Sequence, residues 1–270
     1  MSRLALRFAT LKEQNKAALI PYITAGDPVP TFTVDMMHHM VKNGADIIEL
    51  GVPFSDPAAD GPTIQLAMER ALAHKVSLTD VLAMVSTFRQ QDNETPIVLM
   101  GYLNPIEKMG YLAFAKAAAV AGVDGVLTVD LPPEEASALA LILQQHQLDR
   151  IFLAAPTSTL PRLKKIAELS SGFLYYVSLK GITGANILNV AEVEQKLKAI
   201  RGMTDLPIGV GFGIKDASTA ATVGGIADAV VVGSVLVKHF ETYEHDKDTA
   251  HIQQVVGEVL LAMRQTMDEV

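Results

Sequence analysis

Short apolar runs alternate with longer amphipathic stretches along the whole chain. Runs rich in β-branched and aliphatic residues begin near Ala18, Ile47, Ile97, Gly125, Ile151, Leu174, Ile208 and Ala229, and each is followed by a segment whose apolar positions recur at helical spacing. Strands covered by helices on both faces lack the polar half of the usual alternation, so they read as continuous apolar runs. The pattern therefore predicts eight β/α units, preceded by an amphipathic helix over about Leu4 to Asn15 and followed by another over about His251 to Met267. Eight similar units without a topological break favour closure into a (β/α)8 TIM barrel over an open doubly wound sheet. The second and third runs lie about fifty residues apart, where the others average nearer thirty, which predicts an extended second βα loop carrying an additional short helix.

The polar punctuation sorts the two ends of such a barrel. Gly44-Ala45-Asp46, Gly122-Val123-Asp124 and Gly225-Ile226-Ala227-Asp228 each fall between a helix and the next strand, where glycine is expected as a left-handed C-cap. The strand exits instead collect Gly, Pro, Asp, Asn and Thr: Thr24 to Pro28, Gly51 to Pro57, Asn104-Pro105, Asp130 to Pro133 and Gly181 to Gly184. Barrels build their chemistry from these exit loops.

Composition narrows the class. A chain of 270 residues that is 49% hydrophobic, with no linker or repeat, is expected to form one barrel domain over residues 1–270. It has no cysteine, which excludes disulfides, thiolate metal sites and cysteine nucleophiles and fits a cytoplasmic location. The first residues interleave basic and apolar positions unlike a signal peptide, and no stretch reads as a membrane span. A formal net charge of −8, with scattered lysines and arginines, argues against a nucleic-acid partner. The seven histidines lack metal-ligand spacing, so no metal site is expected.

Two carboxylates stand out. Glu49 sits inside Ile47-Ile48-Glu49-Leu50-Gly51; alternation sends Ile48 and Leu50 to the helix layer and Glu49 toward the barrel axis, where desolvation should raise its pKa into the range useful for proton transfer. The alternative is a buried glutamate paired with a cation for packing. Asp60, in Asp56-Pro57-Ala58-Ala59-Asp60-Gly61-Pro62-Thr63, reads equally as a catalytic carboxylate or as a helix N-cap. Two phosphate-binding signals follow late in the chain, Gly209-Val210-Gly211-Phe212-Gly213 and Val232-Gly233-Ser234, where glycine lets backbone N–H groups approach an anion. Lys180 offers a rival route through a Schiff base, although its glycine-rich surroundings would leave it solvated and protonated. Of Tyr175 and Tyr176 only one can face inward.

The run Glu49-Leu50-Gly51-Val52-Pro53-Phe54-Ser55-Asp56-Pro57-Ala58-Ala59-Asp60-Gly61-Pro62-Thr63-Ile64-Gln65 closely resembles the signature of the tryptophan synthase alpha subunit family. Further blocks agree in order along the chain, among them Pro21 to Pro28, Gly101 to Pro105, Asp130 to Glu135, Ala155 to Ser158, Tyr176 to Ala185, Val210 to Ile214 and Val232 to Ser234. The resemblance implies a lyase that cleaves indole-3-glycerol phosphate to indole and glyceraldehyde 3-phosphate in tryptophan biosynthesis, with no metal or cofactor in this chain. It implies Glu49, Asp60 and Tyr175 as catalytic residues, and Gly184, Gly213, Gly233 and Ser234 as the phosphate site. Tyr22, Met100, Leu127, Val129, Leu153 and Phe212 would form the indole pocket, with Thr183 holding Asp60 when its loop closes. A pyridoxal phosphate-dependent beta subunit is implied as partner in an αββα (alpha2beta2) complex, facing Pro53, Asp56, Pro57 and Gly181. Tyr22 departs from the phenylalanine common at that position and adds a hydroxyl that needs a partner.

Overall fold

The computed structural model describes residues 2–178, 190–211, 213–243 and 247–269. Its strands are β1 (Ala18–Thr24), β2 (Ile48–Gly51), β3 (Ile97–Gly101), β4 (Gly125–Thr128), β5 (Asp149–Ile151), β6 (Leu153–Ala154), β7 (Leu174–Val177), β8 (Ile208–Gly211) and β9 (Ala229–Val232). All recorded pairings are parallel, and the sheet order runs β5-β4-β3-β2-β1-β9-β8-β7-β6. Its two ends, β5 and β6, are separated in the chain only by Phe152. The fifth expected strand thus pairs with β4 along its first half and with β7 along its second, and the sheet closes into an eight-staved barrel.

The helices that matter for the site are α1 (Arg3–Glu13), α2 (Phe32–Lys42), α3 (Pro62–Ala73), α4 (Leu78–Phe88), α5 (Leu103–Met109) and α6 (Tyr111–Ala121). They are followed by α7 (Ser137–Gln145), α8 (Leu160–Leu169), α9 (Val190–Arg201), α10 (Ala217–Gly224), α11 (Ser234–Val237) and α12 (Thr249–Asp268). The long second connection holds both α3 and α4. The short α5 and α11 are additions that the apolar pattern did not signal, because helices of seven and four residues carry too few turns to show a period.

Alternation along the strands produces two apolar layers. Leu19, Ile48, Leu50, Val210 and Val230 face outward and pack with Met36, Met40, Val81 and Val85 of the helices. Ala18, Ile20, Ile47, Val98, Leu127, Ile151, Tyr175 and Val231 face the axis. Helix α1 plugs the N-terminal mouth: Leu4, Phe8 and Leu11 join the inner cluster, with the Phe8 and Phe173 rings 5.8 Å apart.

The three helix-to-strand turns share a device at that closed end. Asp46 Oδ2 accepts the Leu19 N–H, Asp124 Oδ2 that of Ile97, and Asp228 Oδ2 that of Ile208, each at 2.8 Å. Each carboxylate also meets an arginine, Arg264 at 3.1 Å, Arg89 at 2.7 Å and Arg201 at 3.3 Å. Every aspartate ties the start of its own strand to the start of the preceding one. Gly44 and Gly122 take the expected positive φ of 99° and 90°, whereas Gly225 does not. Its φ of −69° is right-handed, since α10 ends in a continuing turn, with the Ile226 and Ala227 N–H groups donating to Val223 O, and no reversal is needed there.

Candidate active site

Glu49 lies in β2, opposite Tyr22 of β1 and Val98 of β3. Its neighbours Ile48 and Leu50 pack in the outer layer, so its side chain points inward, and the residue is 1% exposed. Burial, reinforced by the negative charge of Asp60, pushes its carboxyl up to about 8. Among the described residues it has no salt-bridge partner, and Oε1 is buried without a hydrogen bond. The alternative of a structural ion pair therefore fails. A carboxyl left unpaired inside a protein is costly unless it can hold its proton, which this one does near neutrality.

Asp60 sits in the loop between β2 and α3. It does not cap α3; Gly61 occupies the N-cap and Pro62 the first turn. An aspartate one residue before the cap is free for other work, and Asp60 Oδ2 accepts a 2.6 Å hydrogen bond from the Tyr102 hydroxyl. Burial raises its pKa and the Tyr102 bond opposes the rise. Tyr175 is the inward member of its pair and Tyr176 the outward one. Its phenol is held well above the usual range by burial and by the nearby Glu49 and Asp60 charges.

These groups line one cavity of about 550 Å³, together with Tyr22, Met100, Gly213, Gly233 and Ser234. Two strand glycines make the space that the tyrosines fill. A methyl group on Gly51 would collide with the Tyr22 hydroxyl and one on Gly211 with the Tyr175 hydroxyl. At the other end of the cavity, Gly213 has a φ of +83° and Gly233 caps the short α11 that Ser234 begins. The extra hydroxyl of Tyr22 is satisfied by Thr24 Oγ1 at 3.0 Å, so it is turned toward the β1 exit.

Leu127, Val129 and Leu153 belong to the barrel interior beside the cavity and are not part of its lining. Pro53 is buried, Asp56 exposed and Pro57 half-buried. Lys180, Gly181, Thr183, Gly184 and Phe212 fall outside the described residues. The sequence reading missed Tyr102, whose position directly after β3 was the available signal, and the cavity-lining Lys215 and Lys238. Lys238 stands four residues after Ser234, one helical turn on the same face.

The family model described as Tryptophan synthase alpha chain matches residues 8–267. The chain belongs to the tryptophan synthase alpha chain family. A tryptophan synthase alpha chain of Thioalkalivibrio sulfidiphilus is 62% identical over 99% of this chain and 100% of that relative. One of Nitrosococcus oceani is 58% identical over 99% and 98%. The crystal structure of tryptophan synthase subunit alpha from Legionella pneumophila superposes with a TM-score of 0.92 at 47% identity, covering 100% of both chains. A chain of the ligand-free tryptophan synthase from M. tuberculosis gives 0.86 at 37% identity, covering 98% of this chain and 100% of that one. The likeness to alpha chains thus spans the whole barrel and both ends of the cavity.

Proposed function

We propose that Glu49 and Asp60 carry the alpha reaction in this chain. As a member of the family, the chain is a carbon–carbon lyase that cleaves indole-3-glycerol phosphate in tryptophan biosynthesis. The observation that carries the residue assignment is the buried, uncompensated Glu49 carboxyl sharing a cavity with Asp60 and with the backbone cradle at Gly213, Gly233 and Ser234. The phosphate would sit at that cradle and the indole ring between the two carboxyl groups, against Tyr22 and Met100.

Cleavage requires a proton on the indole ring carbon that bears the side chain and loss of a proton from the side-chain hydroxyl. Protonated Glu49 donates the first. The ring then becomes cationic, and ionised Asp60 stabilises it through the ring N–H in a site with little water. The carboxylate left on Glu49 takes the hydroxyl proton as the carbon–carbon bond breaks, the bonding electrons returning to the ring and the hydroxyl carbon becoming the aldehyde. Glu49 ends as it began, protonated. Tyr175 packs against this path with a phenol that stays neutral.

The chain works as one barrel domain over residues 1–270 and needs no cofactor of its own. Its partner is a beta chain carrying pyridoxal phosphate, in an alpha2beta2 assembly, with exposed Asp56 and half-buried Pro57 on the facing loop. The location is cytoplasmic; among the described residues no helix is long and apolar enough to cross a membrane. The test of the assignment is Glu49→Gln, which keeps shape and removes the proton. Indole release should fall by about 10²–10⁴-fold, and unchanged release would overturn the assignment and direct attention to borohydride trapping at Lys180.

A further inference from the structure

Tyr102 sits beneath the catalytic loop without lining the cavity, and it engages that loop through three separate contacts. Its hydroxyl donates to Asp60 Oδ2 at 2.6 Å, accepts the Ala59 N–H at 3.1 Å, and its ring stacks on Phe54 with centroids 5.1 Å apart at 26°. Only 4% of the residue is exposed. The donor and acceptor capacities of one phenol oxygen are thus spent on two consecutive residues of the loop, while the ring is clamped by a third. Asp60 Oδ1 has no hydrogen bond among the described residues, so the bond to Tyr102 leaves one carboxylate oxygen committed and one open.

We propose that Tyr102 is a positioning residue for the cleavage reaction, fixing Asp60 so that Oδ1 alone meets the N–H of the indole ring. The inference rests on the role of Asp60 given above. Two consequences follow from the geometry. A carboxylate held at one oxygen loses rotation about its terminal bond, so the open oxygen is already aimed before the ring becomes cationic, and this preorganisation favours the transition state more than the ground state. A short bond from a neutral donor also stabilises the ionised form, which opposes the burial that would otherwise protonate Asp60. Glu49, Tyr22 and Tyr175 feel the charge of Asp60, and Lys215 and Lys238 line the same cavity, but besides burial the Tyr102 hydrogen bond alone enters the shift of Asp60 itself. Tyr102 therefore supplies the contact that holds the pKa of Asp60 down against burial.

The experiment compares Tyr102→Phe, Phe54→Leu and Asp60→Asn in the full chain, measuring kcat, KM and the pH dependence of indole release, with thermal unfolding as a check on folding. Tyr102→Phe should lower kcat by about tenfold or more, leave KM within about threefold, and move the acid limb of the profile to higher pH. Phe54→Leu, which loosens the ring stack but keeps the hydroxyl bond to Asp60, should lower kcat less than Tyr102→Phe and leave the acid limb where it is in the parent, and a limb moved as far as in Tyr102→Phe would contradict the proposal. A Tyr102→Phe protein with unchanged kcat and acid limb, or one altered only in melting temperature, overturns the proposal. If Asp60→Asn itself keeps full activity, the role of Asp60 fails instead, and the two failures are told apart by that arm.

Discussion

At the scale of single residues, the decisive feature is a carboxyl whose environment inverts its ordinary behaviour. Glu49 has no cation to pair with, so folding raises its pKa from 4.5 to about 8. Donation of a proton to the ring needs the protonated form, and kcat/KM for indole release should fall as pH rises through about 8, with the acid limb set by ionisation of Asp60. The same shift makes a stability prediction. A carboxyl bound more tightly to its proton in the folded state imposes no penalty below about pH 4.5, and its penalty grows between there and pH 8. Glu49→Gln should therefore be more stable to denaturant than the parent at pH 9, by up to about 5 kcal/mol, with the difference vanishing near pH 4. Paired urea titrations at the two pH values check it; equal stability at both would mean that Glu49 is solvated.

The sequence made Glu49 legible because a charge inside an apolar run has only one cheap orientation in a barrel. Asp60 was less so. Its neighbours spell a helix start, and only the fold reveals that Gly61 takes the cap and that Tyr102, forty-two positions away, takes the side chain. Contacts between loops from different strands leave no local period to read.

At the scale of elements, periodicity located every stave and the two long helices at the chain ends, because those segments are long enough to display their buried faces. It could not show that the fifth stave breaks at Phe152 to change partners, since Ile151-Phe152-Leu153-Ala154 runs across the break as one apolar stretch. The closed end of the barrel depends on paired aspartate and arginine side chains, and their removal separates stability from catalysis. Asp124 is 5% exposed and satisfies both Arg89 and the Ile97 N–H. Asp124→Ala would leave the mostly buried Arg89 without its carboxylate and should cost about 3–5 kcal/mol, with kcat unchanged at temperatures where the variant stays folded. A proportional loss of kcat in the folded variant would contradict the division between a stability face and a chemical face. The strand glycines test the opposite face. Gly211→Ala should cost about 1–3 kcal/mol through its clash with the Tyr175 hydroxyl, and Tyr175→Phe in the same chain should recover part of that loss in a double-mutant cycle.

At the scale of the whole molecule, the barrel brings together groups from its first, second, third, sixth, seventh and eighth staves around one cavity, open at the C-terminal end and plugged by α1 at the other. At the proposed phosphate site a chain with a net charge of −8 would meet the anion with backbone N–H groups and with Lys215 and Lys238, which line the cavity, and not with an overall positive field. The beta partner should raise the rate of indole release from this chain without altering its dependence on Glu49, which turnover assays with and without that partner would show. The most direct measurement is a crystal structure of the chain with a non-cleavable indolylalkyl phosphate. The phosphate should lie against Gly213, Gly233 and Ser234 with the indole ring between Glu49 and Asp60; a phosphate bound elsewhere, or a ring out of reach of Glu49, would contradict the account.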